Sequence, residues 1–318
     1  MTVSLFRPRL AGAMFSLLAG AALAAKPAAD LPSLDVTPRP NQHQRQTIDM
    51  QATMNMQILP RAEASDEDKA KAQQAQAAMP MTMKMRMQQT LHTGSLRTDG
   101  WIPLSLDHRT QEMSMTTATG VAIPVPASQA GNLKIAARFN PKDFAFEFEN
   151  VQGQEPLDER LKPMMNNLMN QVLGMAKAMR DQKLKVGDSF EMPMNVAMPM
   201  PGQGLDGGQL KGQMRYTLTR IDKGVAYFDL GVKLDINAAI TPPAGASAPA
   251  AGPVNMTAEG SGQGQFALRL SDRLALTNDM TMQTLMTISA PNGDVVKMTM
   301  DMTMKGRGES LKPAAVKR

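Results

Sequence analysis

The run Met79-Pro80-Met81-Thr82-Met83-Lys84-Met85-Arg86-Met87 places a methionine at every second position, with Thr, Lys and Arg between them. A period of two sends alternate side chains to opposite faces of a strand, whereas one side of a helix needs a spacing of three and four. This stretch therefore reads as a strand with one apolar and one charged face. The same alternation recurs over 46–59, where Ile48, Met50, Ala52, Met54, Met56 and Ile58 share a side, and over 143–151, where Phe144, Phe146 and Phe148 alternate with Ala145, Glu147 and Glu149. Further strands are predicted at 101–106, 110–118, 132–139, 190–198, 210–220, 224–237, 255–270, 274–289 and 295–305, and Asn140-Pro141-Lys142-Asp143 has turn chemistry. Strands with one polar face, joined by short turns, imply antiparallel sheet.

Two segments break the period. Residues 61–78 are Ala, Gln and charge with no apolar stripe, which predicts a solvated helix or insert between two strands. Over 156–182 the apolar residues Leu157, Leu161, Met164, Met165, Leu168, Val172, Met175 and Met179 fall at helical spacing, with Pro163 as a kink or late start. The expected fold class is therefore α+β: mainly antiparallel sheet, as a half-barrel or curved meander, with one long amphipathic helix against its apolar face. The β-rich domain is expected over 45–306, as two sub-sheets, 45–151 and 186–306, joined by helix 156–182. A Pro-rich flexible leader, 26–44, precedes it, and a basic tail, 307–318, follows.

The first 25 residues read as an export signal, with Arg7 and Arg9 before an apolar stretch and Ala22-Leu23-Ala24 as a cleavage pattern. Export, most simply to a periplasm, is the expected location. Two of the 34 basic residues leave with that signal, so the remaining surplus over 29 acids is small and gives no footprint for nucleic acid. Composition then narrows the chemistry. The chain has 30 Met, only 9 Phe, 2 Tyr and 1 Trp, and no Cys. Disulfides, thiolate metal sites and cysteine nucleophiles are excluded, and any core must be built from soft, unbranched side chains.

Lys185-Val186-Gly187-Asp188-Ser189-Phe190, followed later by Glu259-Gly260-x-Gly262-x-Gly264-x-Phe266-x-Leu268, resembles a family of uncharacterised secreted bacterial β-rich proteins that carry a Val-Gly-Asp-Ser-aromatic motif after a helix. The plan of strands and helix behind a signal is also similar to periplasmic lipoprotein-carrier half-barrels. The first resemblance spans roughly 155–305 and brings no activity with it; the second implies a concave apolar sheet.

Catalysis finds no support. The sequence holds no Gly-x-Ser-x-Gly elbow, no His-Glu-x-x-His and no phosphate loop, and Gly260, Gly262 and Gly264 alternate within a strand where a nucleotide loop needs a strand-to-helix turn. Three uses of methionine remain. A plastic apolar face accepts varied hydrophobic partners. Its expected members are Met81, Met83, Met85, Met87, Met300 and Met302, with Met164, Met165, Leu168 and Met175 as a lid. Alternatively, thioether sulfur selects Cu(I), with Met85, Met87, His92 and His108 as the candidate ligands. Exposed methionines, such as those in the Pro-interrupted stretch Met192, Met194, Met198 and Met200, also suit reversible oxidant scavenging. The expectation is an exported, non-enzymatic binding or carrier-like module for a hydrophobic small molecule, lipid or apolar peptide segment. No cofactor is expected, with Cu(I) handling or oxidant scavenging as the alternative.

Overall fold

The computed structural model describes Asp35 and residues 37–124, 132–152, 169, 173–174, 176–177, 180–181, 183–198, 208–240 and 254–312. In chain order the elements are β1 (His43–Leu59), α1 (Asp66–Ala77), β2 (Met81–Thr93), β3 (Ile102–Thr116), β4 (Ala122–Ile123), β5 (Asn132–Asn140) and β6 (Ala145–Gln152), then β7 (Ser189–Met198), β8 (Gly208–Asp222), β9 (Val225–Ile240), β10 (Val254–Arg269), β11 (Leu274–Ser289) and β12 (Val295–Ser310). They form one antiparallel sheet with the order β6-β5-β3-β2-β1-β12-β11-β10-β9-β8-β7, and β4 pairs with β3. Two meanders thus run in opposite directions from a central seam. The first walks outward from β1 to β6; the second enters at the far edge, β7, and walks back to β12, which pairs with β1.

The α+β expectation is corrected here. Of the described residues 67% are strand and 9% helical, the sheet is open, and among them the one continuous helix is the short α1. Among the described residues no long amphipathic helix forms a second layer. The reason is that strand pairing consumes most of the chain in elements of up to 17 residues, so the sheet itself dictates the architecture. Within 156–182, residues 169, 173–174, 176–177 and 180–181 are helical, and the rest of that span lies outside the described residues. Met169, Leu173 and Ala176 are buried, each one position after Leu168, Val172 and Met175 of the predicted stripe.

The predicted insert at 61–78 is α1. Ser65 caps it, its Oγ accepting from the Asp68 N–H at 3.1 Å, and Asp66, Glu67 and Asp68 place negative charge in the first turn, where the helix dipole favours it. Only Ala72 of this helix is buried, and Gln76 Nε2 donates to the Ile58 carbonyl at 3.1 Å, tying it to the end of β1.

The sheet buries one face in two clusters. One gathers Ile48 and Met87 with Met214, Leu218, Phe228, Leu268, Met280 and Met304 among others. The second, toward the β6 edge, gathers Ile102, Leu104, Ile135, Phe139, Phe144 and Phe146 with Met169 and Leu173. Phe139, Leu218, Phe228 and Leu268 are essentially inaccessible, and burial of each such side chain contributes about 1.5–3 kcal/mol. The opposite face carries Thr, Lys, Arg, Asp and Gln: Asp49 and Arg86 pair across strands at 3.5 Å, and Arg307 forks onto Asp279.

The family-like motifs have structural jobs. Gly187 takes φ +95°, and its N–H donates to the Leu218 carbonyl at 2.8 Å, while Leu218 N–H donates to the Asp188 carbonyl at 2.9 Å. Phe190 then stacks on Tyr216 at 5.1 Å, so Val-Gly-Asp-Ser-Phe is the turn that docks edge strand β7 onto β8. Gly260, Gly262 and Gly264 line the buried face of β10. A Cβ on Gly262 would lie 2.8 Å from the Thr281 carbonyl oxygen, and one on Gly264 would collide with the backbone of Asp279 and Met280. The glycines let β10 and β11 approach closely on the apolar side.

Candidate functional site

Register assembles the methionines. Met50 of β1 lies opposite Met85 on β2 and Met304 on β12; Met54 lies opposite Met81 and Met300; Met56 lies opposite Met298. The rows extend outward, since Met113 pairs with Met85, Met115 with Met83, Met280 with Met304, Met282 with Met302 and Met286 with Met298. Directly opposed residues share a face of the sheet. A methionine lattice thus spans five neighbouring strands, β3-β2-β1-β12-β11, on the apolar face.

One position in the lattice is different. Ala52 lies opposite Met83 and Met302, with Met50 and Met54 two residues away along its own strand. Met81 and Met85 on β2 and Met300 and Met304 on β12 occupy the diagonals. Every same-face neighbour of this alanine within one step is methionine. Ala52 has no exposed surface, yet Met50, Met54, Met83 and Met302 are only half-buried. A cover lying above all of them would have buried the taller side chains first, so the cover over Ala52 is the methionines themselves, leaning over its methyl group.

Exposure is graded along the strands. Met87, Met280, Met282 and Met304 are buried, whereas Met54, Met56, Met81, Met83, Met286, Met298, Met300 and Met302, nearer the α1 end, are half-buried. The buried end is closed by polar groups. Gln46 and Gln89 pair across β1 and β2, and Gln89 Nε2 contacts His108 Nδ1 at 3.2 Å. Gln42 and Gln44 donate to the Asp272 carbonyl at 3.1 and 3.3 Å, and Arg39 donates to the Ser271 carbonyl at 2.9 Å, so the start of β1 and the residues before it pack against the β10–β11 turn. A cleft at this end, lined by Gln46, Ile48, Ala275, Asn278, Met304 and Gly306, offers about 10 Å3, the space of about one water.

Of the predicted apolar-face residues, Met81, Met83, Met85, Met87, Met300 and Met302 come together on one face of adjoining strands. Met164, Met165, Leu168 and Met175 lie outside the described residues. The predicted metal set does not assemble. Met85, Met87 and His108 face the apolar side, but His92 is exposed on the other, in edge-to-face contact with His43 at 5.6 Å. Burial holds the His108 imidazole below its usual range, against a smaller opposing pull from Asp107. Among the described residues no three His, Asp or Glu side chains group as a metal site, so a soft-donor site rests on sulfur. Sequence reasoning missed Ala52, whose only signal is that it interrupts an otherwise unbroken Met row.

No family model matches the chain. No curated protein matches it either. Among solved structures it is similar to a protein described as exported, with a YmcC-like fold, from Bacteroides fragilis NCTC 9343, at 11% identity and TM-score 0.20, covering 82% of this chain and 94% of that one. It is also similar to OccK7 (OpdD) of Pseudomonas aeruginosa, at 7% identity and TM-score 0.18, covering 85% and 99%. A third likeness is to an acetoacetate decarboxylase-like enzyme from Sphingomonas wittichii RW1, at 12% identity and TM-score 0.11, covering 92% and 100%. Likenesses this remote transfer no activity. Among the described residues no helix is long and apolar enough to cross a membrane.

Proposed function

We propose that the protein is an exported, non-enzymatic binding or carrier-like module, working in the periplasm, whose methionine face receives the acyl chain of a lipid. The supporting observation is the half-buried portion of the lattice toward the α1 end, where Met54, Met56, Met81, Met83, Met298 and Met300 form a continuous apolar strip. A strip of that kind is unfavourable in water unless something covers it. Its rows run from the Met304 level to the Met298 level, six residues or about 20 Å along the strands, a long narrow track rather than a compact pocket.

The chemistry of the track fits a chain-like ligand of variable length. Methionine has three rotatable bonds and a polarizable sulfur, so it repacks around a ligand at low cost. The Gln46–Gln89–His108 belt closes the far end and stops the ligand from running through. The cleft near Asn278 is far too small to serve. Recognition therefore relies on opening and covering of the lattice, and selects for apolarity and shape more than for a headgroup.

Native mass spectrometry of protein purified from its own compartment tests this. Adducts matching intact lipids or fatty acids, displaced by a fluorescent fatty acid, are the expected result. A clean apo mass together with no binding of that probe would overturn the reading.

A further inference from the structure

We propose that the ring around Ala52 is a binding site for one soft monovalent cation, Cu(I) or Ag(I), held by the thioether sulfurs of Met83 and Met302 together with Met50 or Met54.

The donor set decides the class of ion. Thioether sulfur is soft and uncharged, so it discriminates against Mg2+, Ca2+ and other hard cations and favours Cu(I) and its analogue Ag(I). The register decides the geometry. Neighbouring strands lie about 4.7–4.9 Å apart, so Met83 and Met302 stand about 10 Å apart at their backbones with only a methyl group between them. Soft-metal bonds to sulfur are about 2.3 Å, so two sulfurs sharing an ion lie within about 4.6 Å of each other. Each side chain needs to lean inward by only a few ångströms, and the complete burial of Ala52 beneath half-buried methionines is the signature of that lean. Met50 and Met54, on either side along β1, supply the third donor.

Access and surroundings agree. The four ring members are half-buried, so an ion reaches them from solvent without the fold opening. The binding is coordination alone: the ion keeps its charge, no proton is released, and neutral sulfurs replace its solvent ligands. This proposal stands apart from the acyl-chain reading, because it is tested with metal alone.

The experiment is a competition titration of the full exported chain with Cu(I) against a chromophoric chelator under anaerobic conditions, repeated with Ag(I). One equivalent should be withdrawn from the chelator. Met83→Leu and Met302→Leu, volume-conserving changes that cores tolerate, should each weaken binding by about tenfold or more. Met286→Leu, in the same lattice but outside the ring, should leave binding unchanged. Ala52→Leu removes no sulfur but puts a large side chain where the sulfurs must converge, and should abolish binding; circular dichroism checks that it folds. The proposal is overturned by no competition, by equal binding in the ring variants and wild type, or by an equal loss in Met286→Leu, which would mean that methionine content rather than the ring binds the ion.

Discussion

Asp35 and Arg273 form a buried ion pair at 2.6 Å, with side chains 10% and 8% exposed. It fastens the segment ahead of β1 to the β10–β11 turn, where Asp272 is itself held by a fork from Arg269 at 2.7 and 2.5 Å and by Ser310 at 2.6 Å. Burial pulls the Arg273 guanidinium down to about 10 despite the opposing pull of Asp35, so desolvation outweighs pairing at this site. Removing one partner leaves the other charge buried and alone. Asp35→Ala should therefore cost about 3–5 kcal/mol in urea denaturation, while the double replacement Asp35→Leu with Arg273→Met should cost much less. Equal losses for the two would show that packing, and not charge, holds the segment.

The close approach of β10 to β11 depends on missing side chains. Gly264→Ala puts a Cβ into the backbone of Asp279 and Met280, and neither can yield without displacing β11. A loss of about 1–3 kcal/mol or more is expected. Gly231→Ala is the matched control, because its nearest neighbour is Arg215 Cβ at an ordinary 3.8 Å, and it should be close to neutral. If both variants lose equally in thermal unfolding, the glycines matter for backbone freedom and not for strand approach.

His108 makes stability pH-dependent. Its folded-state pKa lies below the unfolded value because burial penalises the imidazolium. Between the two values the unfolded chain binds more protons, so this histidine's contribution is complete above the unfolded pKa of about 6.5 and is lost as pH falls below it. His108→Leu should flatten that part of the acid limb in denaturation curves between pH 7.5 and 5.5. An unchanged acid limb in His108→Leu would assign the slope to carboxylates.

Oxidation should follow the exposure gradient. Sulfoxide formation tracks accessibility, so limiting hypochlorite should modify Met54, Met56, Met81 and Met300 before Met87, Met280, Met282 and Met304, as read by peptide mapping. The fold should survive the first group and unfold as the second is reached. Random modification across the lattice would argue that the sheet opens globally before it reacts.

Strand identity and the apolar face were legible in the residues alone. Alternation is a local property, and the runs at Met81–Thr93, His43–Leu59 and Leu274–Ser289 each declare their two faces without reference to any other part of the chain. The insert at 61–78, read as a solvated helix or insert, and the turn at Asn140 were equally local: the first is a helix that Ser65 caps, and in the second the Asn140 side chain accepts from Lys142 N–H at 2.9 Å. Pairing was not. Met54 meets Met300 only because the second meander starts at the opposite edge and returns to close against β1, a relation between segments at the two ends of the chain that no window of sequence contains. The long helix failed for the same reason: a three-and-four spacing proposes a stripe, but the sheet decides which residues it buries. The histidines show how small the deciding feature can be. A bulge on β3 at Gln111, where Arg86 and Met87 pair with Glu112 and Thr110, shifts the parity of that strand by one residue. It turns His108 toward the methionines while His92 faces away, and so separates two residues that sequence reasoning had placed in one site.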